Sequence, residues 1–562
     1  MLINTSKHWD IAPQIPAETA TALGDHSPIL KQLLFNRGIL NLESADTYLQ
    51  ASGSLHSPFK LEGVQQAVHR INEALENQQK IAIYGDYDAD GVTATALMVQ
   101  VLRKLGGDVI YHIPNRFEEG YGLTNKALQN LGDEGTKLVI TVDCGIRSPV
   151  EVLYASSVGM DIIITDHHEP RGELFGAKAV VCPKQAADKY PYKNLSGVGL
   201  AYKLCEGLLK SRPDNGIDPH DWLDLVAVGT IADVVPLDGE NRALVRAGLE
   251  KMRAGTRASL RALTGVARLD FTRITARDVA FMIGPRLNAA GRLDSAAMAY
   301  DLLMSEDPGK AAMLAQQLDD QNVRRQAETR KIQEEAESSA LAGKKADLLF
   351  AASPDFSIGL VGLAAARLAE KFYRPSIVGC REEEFTRASC RSIPEFHMTR
   401  ALDECSDLLV RHGGHAMAAG FTIANGKVPD LVERLQDISA RELGERDLRP
   451  TIQADVEVPL QDLRPDVLNE LAKLEPTGMG NTQAQFVSRG VQIIRKNTMG
   501  ADSKHLRLKV KDVVTHDAVA FSMGHLADLL PSRVDLVYTY ELNRFRGRES
   551  IQLNVRDIQP SD

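Results

Sequence analysis

Cysteine is scarce in this chain of 562 residues: there are six, and none stands in a CxxC pair. That spacing suggests neither a zinc ribbon nor a disulfide framework, so we expect reduced thiols. No apolar run reaches the ~20 residues that a membrane-spanning helix needs, and "MLINTSKHWD" lacks a signal-peptide core. The sequence therefore predicts a soluble, cytoplasmic protein with no membrane partner.

A basic excess is also missing. The net charge of −10 argues mildly against general binding of polyanions. Residues 484–560 reverse the balance locally, with twelve Lys and Arg against eight Asp and Glu, although ordinary fluctuation explains such a difference by itself. The GxxxxGK[ST] loop of nucleotide-driven motors is absent as well.

What the chain does contain is an alternation of short apolar runs with helical segments between about residues 66 and 300. The runs are "KIAIY" (80–84), "DVIYHIP" (108–114), "KLVITV" (137–142), "DIIIT" (161–165) and "AVVC" (179–182). Alternation at this spacing predicts βαβ units and a mostly parallel sheet.

The remaining chain predicts a connector, a second α/β lobe and a barrel. Residues 306–342 hold many helix formers and predict one long polar helix. A second α/β pattern follows, with strands "ADLLFAAS" and "PSIVGC" around the helix "VGLAAARLAEKF". The short alternating strands of about 450–560 predict a small β-barrel of the OB type, whose faces often hold oligonucleotides.

These patterns divide the chain into five parts. We expect an N-terminal extension (1–65), a catalytic domain (66–305), a connector helix (306–345), an accessory α/β domain (346–445) and an OB-type domain (446–562).

The stretch "IYGDYDADGVTA" (83–94) concentrates three carboxylates, Asp86, Asp88 and Asp90, in five residues. The residue pattern matches the start of a calcium-binding EF-hand loop, but Leu97 occupies the position of the bidentate glutamate. An apolar β-branched run precedes the acids and a helical pattern follows them. The acids therefore lie at the carboxyl end of a strand, where open parallel sheets bind ligands.

Three further segments offer ligands in a comparable place. Asp143 follows "KLVITV", Asp166, His167 and His168 follow "DIIIT", and Asp233 follows the apolar run of "VAVGTIADVVPL". We expect all four segments to meet at one edge of one sheet. Like charges that close repel one another unless cations neutralise them.

The chemistry of these ligands indicates a pair of hard cations. Carboxylates with imidazole and no thiolate suit Mn²⁺ or Mg²⁺. Five or six such groups are too many for one ion with an open position, and they fit a two-metal site for phosphoryl displacement. The sequence thus predicts metal-assisted hydrolysis of a phosphate ester or anhydride.

Several motifs also resemble a known family. "DYDADG", "VDCG", "TDHH" and "TIADVVPL" resemble, in order and spacing, the four motifs of the DHH phosphoesterase superfamily, and "GGHAMAAGF" (413–421) resembles the signature of its accessory DHHA1 domain. "IGPRLNAAGRL" (283–293) and "LEPTGMGNTQAQF" (474–486) narrow the resemblance to the RecJ family of bacterial repair and recombination exonucleases. It covers about residues 60 to 560.

The resemblance implies the fold class and the roles of the acids. The fold would be α/β, with a DHH parallel-sheet domain and a DHHA1 domain joined by a long helix, followed by an OB-type β-barrel. His168 would face the scissile phosphate, Asp143 would bridge the two ions, and Asp86 would orient the site or serve as a further ligand. The implied metal ligands are Asp88, Asp90, Asp143, His167 and Asp233.

One position departs from the superfamily. Relatives with smaller substrates carry a histidine ligand where this chain has Tyr84. A phenol binds Mn²⁺ poorly, so we expect one ion to bind more weakly, or to take Asp86 or water as a ligand in place of the missing histidine.

An exonuclease must also recognise a strand end, and a terminal phosphate calls for arginine forks and backbone amides. Arg387, Ser389 and Arg391 alternate in "RASCRSI" and would share one face of a strand. The resemblance favours Arg116, Ser389 and Arg391 as an end-phosphate pocket, and Arg286 and Arg292 less strongly.

Other segments complete the predicted path of the strand. Gly413 and Gly414 are expected to lead into a helix N-terminus that cradles phosphate, with His415 beside it. Asn322 and Arg325 are candidate contacts on the connector. The barrel would contact the phosphodiester backbone through six basic residues, Lys504, Arg507, Lys509, Arg544, Arg546 and Arg548.

Taken together, the residues and the resemblance predict a 5′-to-3′ exonuclease specific for single-stranded DNA. Two alternatives remain: a phosphodiesterase of short oligonucleotides, cyclic dinucleotides or polyphosphate, and an inactive replication scaffold. The barrel distinguishes the first alternative from the exonuclease. A small-substrate enzyme does not need residues 450–560, so their deletion would spare dinucleotide turnover. The expected partners are a DNA 5′ end, a single-strand-binding protein and a helicase, and we expect a monomer.

Overall fold

The computed structural model describes residues 7–51, 55–116, 119–120, 122–341, 347–545 and 548–561. Its N-terminal segment contains β1 (His8–Ile11), α1 (Ala17–Ala22), α2 (Pro28–Asn36) and α3 (Leu42–Gln50). Asn41 caps α3 by accepting the backbone N–H of Ser44.

The first lobe (residues 64–304) is built on a parallel sheet. Its strands are β2 (Ile81–Gly85), β3 (Val109–His112), β4 (Leu138–Val142), β5 (Asp161–Thr165) and β6 (Ala179–Val181). The order across the sheet is β3-β2-β4-β5-β6, and every pairing is parallel. The chain order therefore reverses between β2 and β4, which is the switch point where sheets of this class bind ligands.

Helices cover both faces of this sheet, which explains its apolar strands. Ile81 and Ile83 belong to the core on one face, whereas Ala82 and Tyr84 belong to the core on the other. The helices are α4 (Val64–Glu76), α5 (Ala89–Lys104), α6 (Asn125–Asp133), α7 (Pro149–Ser157), α8 (Gly197–Lys210), α9 (Leu223–Ala232), α10 (Gly239–Ala254), α11 (Ala258–Val266), α12 (Ala276–Asp278), a π-helix (Val279–Ile283), α13 (Gly284–Leu293) and α14 (Ala297–Met304).

One long helix, α15 (Pro308–Leu341), joins the lobes, as the sequence predicts. Its 34 residues span about 51 Å at the helical rise of 1.5 Å per residue. Leu314 and Leu318 pack into the core of the first lobe, and Ile332 and Ala336 pack into a core of the second.

The second lobe (residues 347–443) carries a mixed sheet of order β10-β11-β9-β8-β7. The two predicted strands and the predicted helix are present as β7, β8 and α16. Its elements are β7 (Leu349–Ser353), α16 (Val361–Phe372), β8 (Ser376–Arg381), β9 (Phe385–Arg391), α17 (Met398–Asp403), β10 (Leu409–Gly414), β11 (Ala418–Ala424) and α18 (Val428–Leu443).

The C-terminal region closes into a five-stranded barrel, which confirms the predicted OB type. Its closed order is β14-β15-β16-β18-β17, with β17 returning to β14. The elements are β12 (Thr451–Ala454), β13 (Val456–Glu457), α19 (Pro465–Lys473), β14 (Phe486–Met499), β15 (His505–Lys511), β16 (Thr515–Ala520), β17 (Arg533–Phe545) and β18 (Arg548–Pro560).

Short single turns of 3-10 helix connect these elements. They are Pro58–Lys60, Pro213–Asn215, Pro219–Trp222, Phe271–Arg273, Asn425–Lys427, Leu460–Asp462, Ala501–Ser503 and Gly524–Leu526. No helix in the described part of the chain is both long enough and apolar enough to cross a bilayer.

The N-terminal segment belongs structurally to the barrel. Leu30 and Leu33 of α2 share one core with Phe486 and Leu508 of the barrel, and β1 pairs in parallel with β12. Local sequence patterns gave no indication of this association, because its partners lie more than 400 residues away.

Candidate metal centre and phosphate pocket

The acidic turn after β2 begins at the switch point of the sheet. Asp88 caps α5, since its carboxylate accepts the backbone N–H groups of Asp90 and Gly91 at 3.0 and 3.1 Å. Gly91 permits the tight turn, because a Cβ there would lie 2.6 Å from the backbone oxygen of Asp86.

Asp143 follows the neighbouring strand β4 and is buried. Its φ of +64° lies in the left-handed region, which non-glycine residues adopt rarely and mainly at functional sites. The start of α8 packs directly on it, since a Cβ on Gly197 would lie 2.5 Å from the Cβ of Asp143.

The histidine pair follows β5. Asp166 Oδ1 accepts the backbone N–H of His168 and lies 2.7 Å from its ring Nδ1. Asp166 Oδ2 accepts the backbone N–H of Ile146. Asp166 therefore orients the His168 ring, while His167 points toward Asp143 and Asp233.

Asp233 follows its apolar run, which is a helix and not a strand of the sheet. It ends helix α9, whose apolar residues are buried all round, so the run has no periodicity that distinguishes helix from strand. Gly229 allows α9 to approach the acidic turn, since a Cβ there would lie 2.8 Å from Asp90 Oδ1.

The four segments nevertheless converge on one place, which we call the acidic cluster: Asp86, Asp88, Asp90, Asp143, His167 and Asp233. Within three sets, the potential ligand atoms lie within 4.8 Å of one another. The sets are Asp86 with Asp88 and Asp143, Asp90 with His167 and Asp233, and Asp143 with His167 and His168.

Several atoms of the acidic cluster are buried and make no hydrogen bond with a described residue. They are Oδ1 of Asp86, Oδ1 of Asp143, Nε2 of His167 and Oδ2 of Asp233. Each such group costs about 1–3 kcal/mol unless something satisfies it. These oxygen and nitrogen donors are the ligands that Mn²⁺ and Mg²⁺ accept, so the residues fit the predicted ions.

The electrostatics of the acidic cluster also favour cations. Burial, with the nearby Asp88, raises the pKa of Asp90 to about 7. Burial, with Asp90, raises the pKa of Asp233 to about 9, and the pKa of Asp143 is raised well above its usual range by burial and the same neighbours. Divalent ions would remove this repulsion and keep the carboxylates charged.

His167 is suited to be a neutral ligand. Burial and the neighbouring His168 lower the pKa of His167 to about 3. Its Nε2 lies 3.1 Å from Asp143 Oδ1 and 3.5 Å from Asp233 Oδ2. The unprotonated ring therefore gains no ion pair from these carboxylates and can share a cation with them.

Asp90 is held more firmly than the other acids. Its two carboxylate oxygens accept the backbone N–H groups of Gly197 and Val198, at 2.6 and 2.8 Å. These donors begin helix α8, whose N-terminus favours negative charge.

Tyr84 is not turned toward a cation. Its hydroxyl donates to the backbone oxygen of Gly122 at 3.0 Å, and its ring packs in the core beneath the sheet. Asp86, which has one unsatisfied oxygen, stays the predicted replacement for a ligand at position 84.

A pocket of about 230 Å³ opens beside the acidic cluster, and we call it the phosphate pocket. It is lined by Asp86, Tyr87, Asp88, Arg116, His168, Asn288, Gly291 and Arg292. Burial lowers the pKa of Arg292 to about 10, and the positive charges of Arg116 and Arg325 contribute to this lowering. Arginines placed this close are stabilised by a bound anion.

Sequence reasoning missed Tyr87 and Asn288. The Asn288 side-chain oxygen accepts the backbone N–H of Ala89 at 2.7 Å, which links α13 to the acidic turn. Asn288 and Arg292 are four residues apart and share a helical face, which was the available signal. Tyr87 lies beneath Arg116, whose guanidinium is 5.2 Å from the ring centroid.

Arg286 lies in a different environment from Arg116 and Arg292. It is buried, its Nη2 lies 2.7 Å from Asp319 of α15, and its Nη1 donates to the backbone oxygen of Met282. Arg286 thus attaches α13 to the connector helix rather than lining the phosphate pocket.

The second lobe brings Ser389 and Arg391 toward this pocket. Both lie on one face of β9, and a Cβ on Gly362 would lie 3.5 Å from Ser389 Oγ and 3.3 Å from Arg391 Nη2. Burial and the positive charge of Arg116 lower the pKa of Arg391. The charge of Arg116, in the first lobe, therefore acts on Arg391 in the second. Arg387, farther along the strand, pairs with Glu382.

The prediction that Gly413 and Gly414 lead into a helix is wrong. They end strand β10, and the chain turns directly into strand β11 without a helix. The exposed His415 donates its backbone N–H to Ala418 within this hairpin. The turn explains Gly414, which has φ +144° and where a Cβ would clash with Ala418 and Ala419.

The residues predicted to contact DNA on the connector helix and on the barrel differ in how accessible their side chains are. Asn322 is buried and accepts a hydrogen bond from Arg325. Arg507 and Lys509 are exposed on β15, and Lys504 is exposed just before it. Arg544 pairs with Glu549, whereas Arg546 and the side chain of Arg548 lie outside the described residues.

Three family models match the chain in order. The DHH family N-terminal domain matches residues 80–230, the DHHA1 domain matches 346–441 and the RecJ OB domain matches 454–557.

Curated relatives match over most of their length. The single-stranded-DNA-specific exonuclease RecJ of Bacillus subtilis is 38% identical over 570 residues, covering 100% of this chain and 72% of that protein. The protein of the same name from Haemophilus influenzae is 35% identical, with 95% of this chain and 96% of that protein covered.

A solved structure shares the architecture. RecJ from Thermus thermophilus, crystallised with Mn²⁺, superposes with a TM-score of 0.85 and 30% identity over 99% of this chain and 80% of that chain. With three domain models in order and near-full-length relatives above 30% identity, this chain belongs to the RecJ family.

Proposed function

We propose that this chain is a metal-dependent exonuclease that hydrolyses single-stranded DNA from its 5′ end. The observation that supports this most directly is the convergence of four chain segments on the acidic cluster, beside a pocket lined by arginines. The curated relatives named above act on single-stranded DNA, which indicates the class of substrate.

The acidic cluster would hold two divalent ions, Mn²⁺ or Mg²⁺. When bound, such ions supply an activated water and stabilise the charge that develops on the phosphate. Asp86, Asp88 and Asp143 would hold one ion, and Asp90, His167 and Asp233 the other. Asp143 also shares a set with His167, so it would be able to contribute to both ions.

His168 would bind the scissile phosphate. It lines the phosphate pocket, and Asp166 fixes its ring through Nδ1. Burial by itself would lower the pKa of His168, but the hydrogen bond and negative charge of Asp166 raise it above the usual value. A protonated ring here donates to a phosphate oxygen and stabilises its charge.

Arginines from both lobes would recognise the strand end. Arg116 and Arg292 come from the first lobe, while Ser389 and Arg391 come from the second. A terminal phosphate carries more charge than an internal one and pairs with guanidinium groups in bidentate fashion. Recognition of a 5′-phosphate at this place would start hydrolysis at that end and give the 5′-to-3′ direction.

The cleft between the lobes and the barrel would select single strands. We expect the space between Arg116 and Arg391 to admit one strand and to exclude a duplex, because a duplex is wider. Arg507 and Lys509 on the outer face of β15 oppose Asn497 and Arg495 of β14, which makes an exposed basic surface for a DNA backbone.

The direct test offers the purified protein end-labelled single strands, duplexes and dinucleotides. We expect release of mononucleotides from the 5′ end of single strands with Mn²⁺ or Mg²⁺, and no product with EDTA. Degradation of duplexes at the same rate, or release from the 3′ end, would contradict the proposal. The test uses the whole chain, because deletion of residues 450–560 would expose the core that α2 shares with the barrel.

We further propose that the protein is a monomer that works with a single-strand-binding protein and a helicase. The reason is chemical: a nuclease that excludes duplexes needs its strands separated and kept unpaired. Size-exclusion chromatography with light scattering should give one chain per particle. Adding a helicase should make a blunt duplex degradable.

A further inference from the structure

The segment between β3 and α6 carries Arg116, which lines the phosphate pocket. The segment leaves the sheet after His112, at the end of the edge strand β3, and returns to the core at the buried Leu123. Connecting segments are more mobile than the elements that they join. The position of Arg116 therefore depends on the contacts that hold this segment.

Glu119 holds the first half of the segment. Its Oε1 accepts the backbone N–H of Asn115 at 2.9 Å, and its Oε2 lies 3.1 Å from Nε2 of His112. The backbone oxygen of Asn115 in turn accepts the N–H groups of Glu119 and Gly120, at 2.8 and 3.3 Å. The residue immediately before Arg116 is therefore held through both its N–H group and its carbonyl group.

Tyr84 holds the second half of the segment. Its hydroxyl donates to the backbone oxygen of Gly122 at 3.0 Å, and its ring centroid lies 4.8 Å from that of His112. Burial raises the pKa of Tyr84 well above its usual range, so the hydroxyl stays protonated at neutral pH and keeps this hydrogen bond.

The sheet explains why these side chains meet. Tyr84 of β2 is in parallel register with His112 of β3, and residues in register project from the same face of a sheet. The strand that carries Tyr84 also leads into the acidic turn that begins at Asp86. Tyr84, His112 and Glu119, which we call the anchoring residues, thus connect the segment of Arg116 to the strand that positions the acidic cluster.

We propose that the anchoring residues are positioning residues for recognition of the 5′-phosphate. They act through Arg116, because they keep its guanidinium at the phosphate pocket before a strand binds, and such preorganisation lowers the entropic cost of binding. Position 84, where relatives with smaller substrates carry a metal ligand, serves here to hold the arginine that recognises the strand end. This role rests on the proposed function, since it concerns the same strand end.

The test measures kcat/KM with Mn²⁺ for a 5′-phosphorylated strand and for the same strand with a 5′-hydroxyl. The ratio of the two values should fall roughly fivefold in Tyr84→Phe, which loses one hydrogen bond, and roughly tenfold in Glu119→Ala, which loses two contacts. KM for the phosphorylated strand should rise while kcat stays near the wild-type value, because Arg116 binds the end in the ground state.

Two variants separate positioning from a general loss of stability. Tyr540→Phe is the matched control, since the hydroxyl of Tyr540 donates to the backbone oxygen of Leu463, also at 3.0 Å, in the core of the barrel. It should leave the ratio unchanged. Glu119→Gln keeps an acceptor for the N–H of Asn115 and should retain most of the ratio.

A double-mutant cycle tests whether Tyr84 acts through Arg116. In an Arg116→Ala background, Tyr84→Phe should change the ratio no further, because residues that act through one another have non-additive effects. Independent residues would instead give losses that multiply.

The positioning role is overturned if Tyr84→Phe keeps the wild-type ratio, if Tyr540→Phe lowers it equally, or if the losses in the cycle multiply. A wild-type protein without a preference for phosphorylated ends would overturn it as well. Failure of the proposed function has a different appearance, since the wild-type protein then degrades no strand with Mn²⁺.

Hydrogen exchange tests the anchoring residues independently of activity. In the metal-free protein, amides of the peptide covering residues 113–123 should exchange roughly tenfold faster in Tyr84→Phe and Glu119→Ala than in the wild type. Tyr540→Phe should leave their exchange unchanged. Wild-type exchange in both anchoring variants would overturn the positioning role even if the protein degrades no strand.

Discussion

Asp166 Oδ1 holds both the ring Nδ1 and the backbone N–H of His168, at 2.7 and 3.0 Å. The same arrangement recurs on the surface, where Asp218 Oδ1 lies 2.6 Å from Nδ1 of His220 and accepts its backbone N–H at 3.0 Å. Asp166 is buried and adjoins the phosphate pocket, whereas Asp218 is exposed. The chain thus contains an internal control for this pair.

Asp166→Asn should lower kcat by roughly tenfold to a hundredfold, which is the usual effect of losing an orienting carboxylate. The amide of asparagine carries no negative charge, so it binds the protonated His168 ring less strongly than the Asp166 carboxylate does. The ring is then held less firmly in its position. Strand binding in EDTA should change little. Asp218→Asn should leave kcat at the wild-type value, and an equal loss in both variants would refute the role of Asp166.

Asp143→Asn should abolish nuclease activity while making the metal-free protein more stable. It removes one ionisable carboxyl from a buried cluster of acids, and we expect a gain of about 1–3 kcal/mol in the free energy of unfolding in EDTA. Asp143→Ala should abolish cleavage as well and retain strand binding. Asp133→Asn, at an exposed helix end, is the control and should change neither property.

In EDTA, the acidic cluster should make the protein less stable as the pH rises. The pKa values of Asp90 and Asp233, about 7 and about 9, exceed the value of about 3.9 for an unfolded aspartate. The folded state then binds more protons than the unfolded state above about pH 4. Stability is therefore lost as the pH rises from about 4 to about 7 through Asp90 and on to about 9 through Asp233, by roughly 1 kcal/mol per pH unit for each proton that the folded state still holds.

Divalent ions should reverse this slope. They bind the ionised carboxylates of the folded state, so Mn²⁺ should raise Tm more at about pH 8 than at about pH 6. Thermal unfolding with Mn²⁺ and with EDTA across this range measures both slopes. A Tm in EDTA that rises steadily with pH would contradict the assignment of the cluster.

Arg391→Ala should remove the preference for phosphorylated ends. Loss of a charge-assisted hydrogen bond costs about 1.5–3 kcal/mol, so kcat/KM on 5′-phosphorylated strands should fall by roughly ten- to a hundredfold. Activity on 5′-hydroxyl strands should fall much less. Arg387→Ala, on the same face of the same strand but paired with Glu382, is the control.

Arg242→Ala should loosen the barrel from the first lobe. Its guanidinium donates to the backbone oxygens of Lys473, Leu474 and Pro476 and lies 4.0 Å from the ring centroid of Tyr48. Asn481 still donates to Leu474 and Pro476 in the variant. The change removes the charge-assisted hydrogen bonds of Arg242 and its packing on Tyr48, and we expect the free energy of unfolding in urea to fall by about 3–5 kcal/mol. Arg246→Ala, which loses one bond to Leu49, should cost about 1 kcal/mol.

Much of this arrangement was predictable from the sequence because its signals are local. Apolar runs that end in acids place Asp86, Asp143 and His167 at one sheet edge, and the structure brings them together. Their roles as metal ligands stay a prediction. The secondary structure before Asp233 could not be predicted in this way, because an apolar run buried on all sides is equally compatible with helix and strand.

Other features depend on partners that are distant in sequence. The residues "AMAAGF" after His415 have helix propensity, but pairing of β11 with β9 on one side and β10 on the other overrides it. From the sequence, Arg286 was a candidate phosphate ligand. In the structure it pairs with Asp319, which lies on another helix. Neither the strand pairing of β11 nor the contact of Arg286 with Asp319 can be derived from residue propensity and spacing.

The shared core of α2 and the barrel has a consequence during synthesis on the ribosome. Leu33 emerges about 450 residues before Phe486, its neighbour in that core. At about 5–20 residues per second, the N-terminal segment waits roughly 20–90 s for its partner. Its apolar side chains stay uncovered for that time, which makes the nascent chain a natural client for chaperones until translation ends.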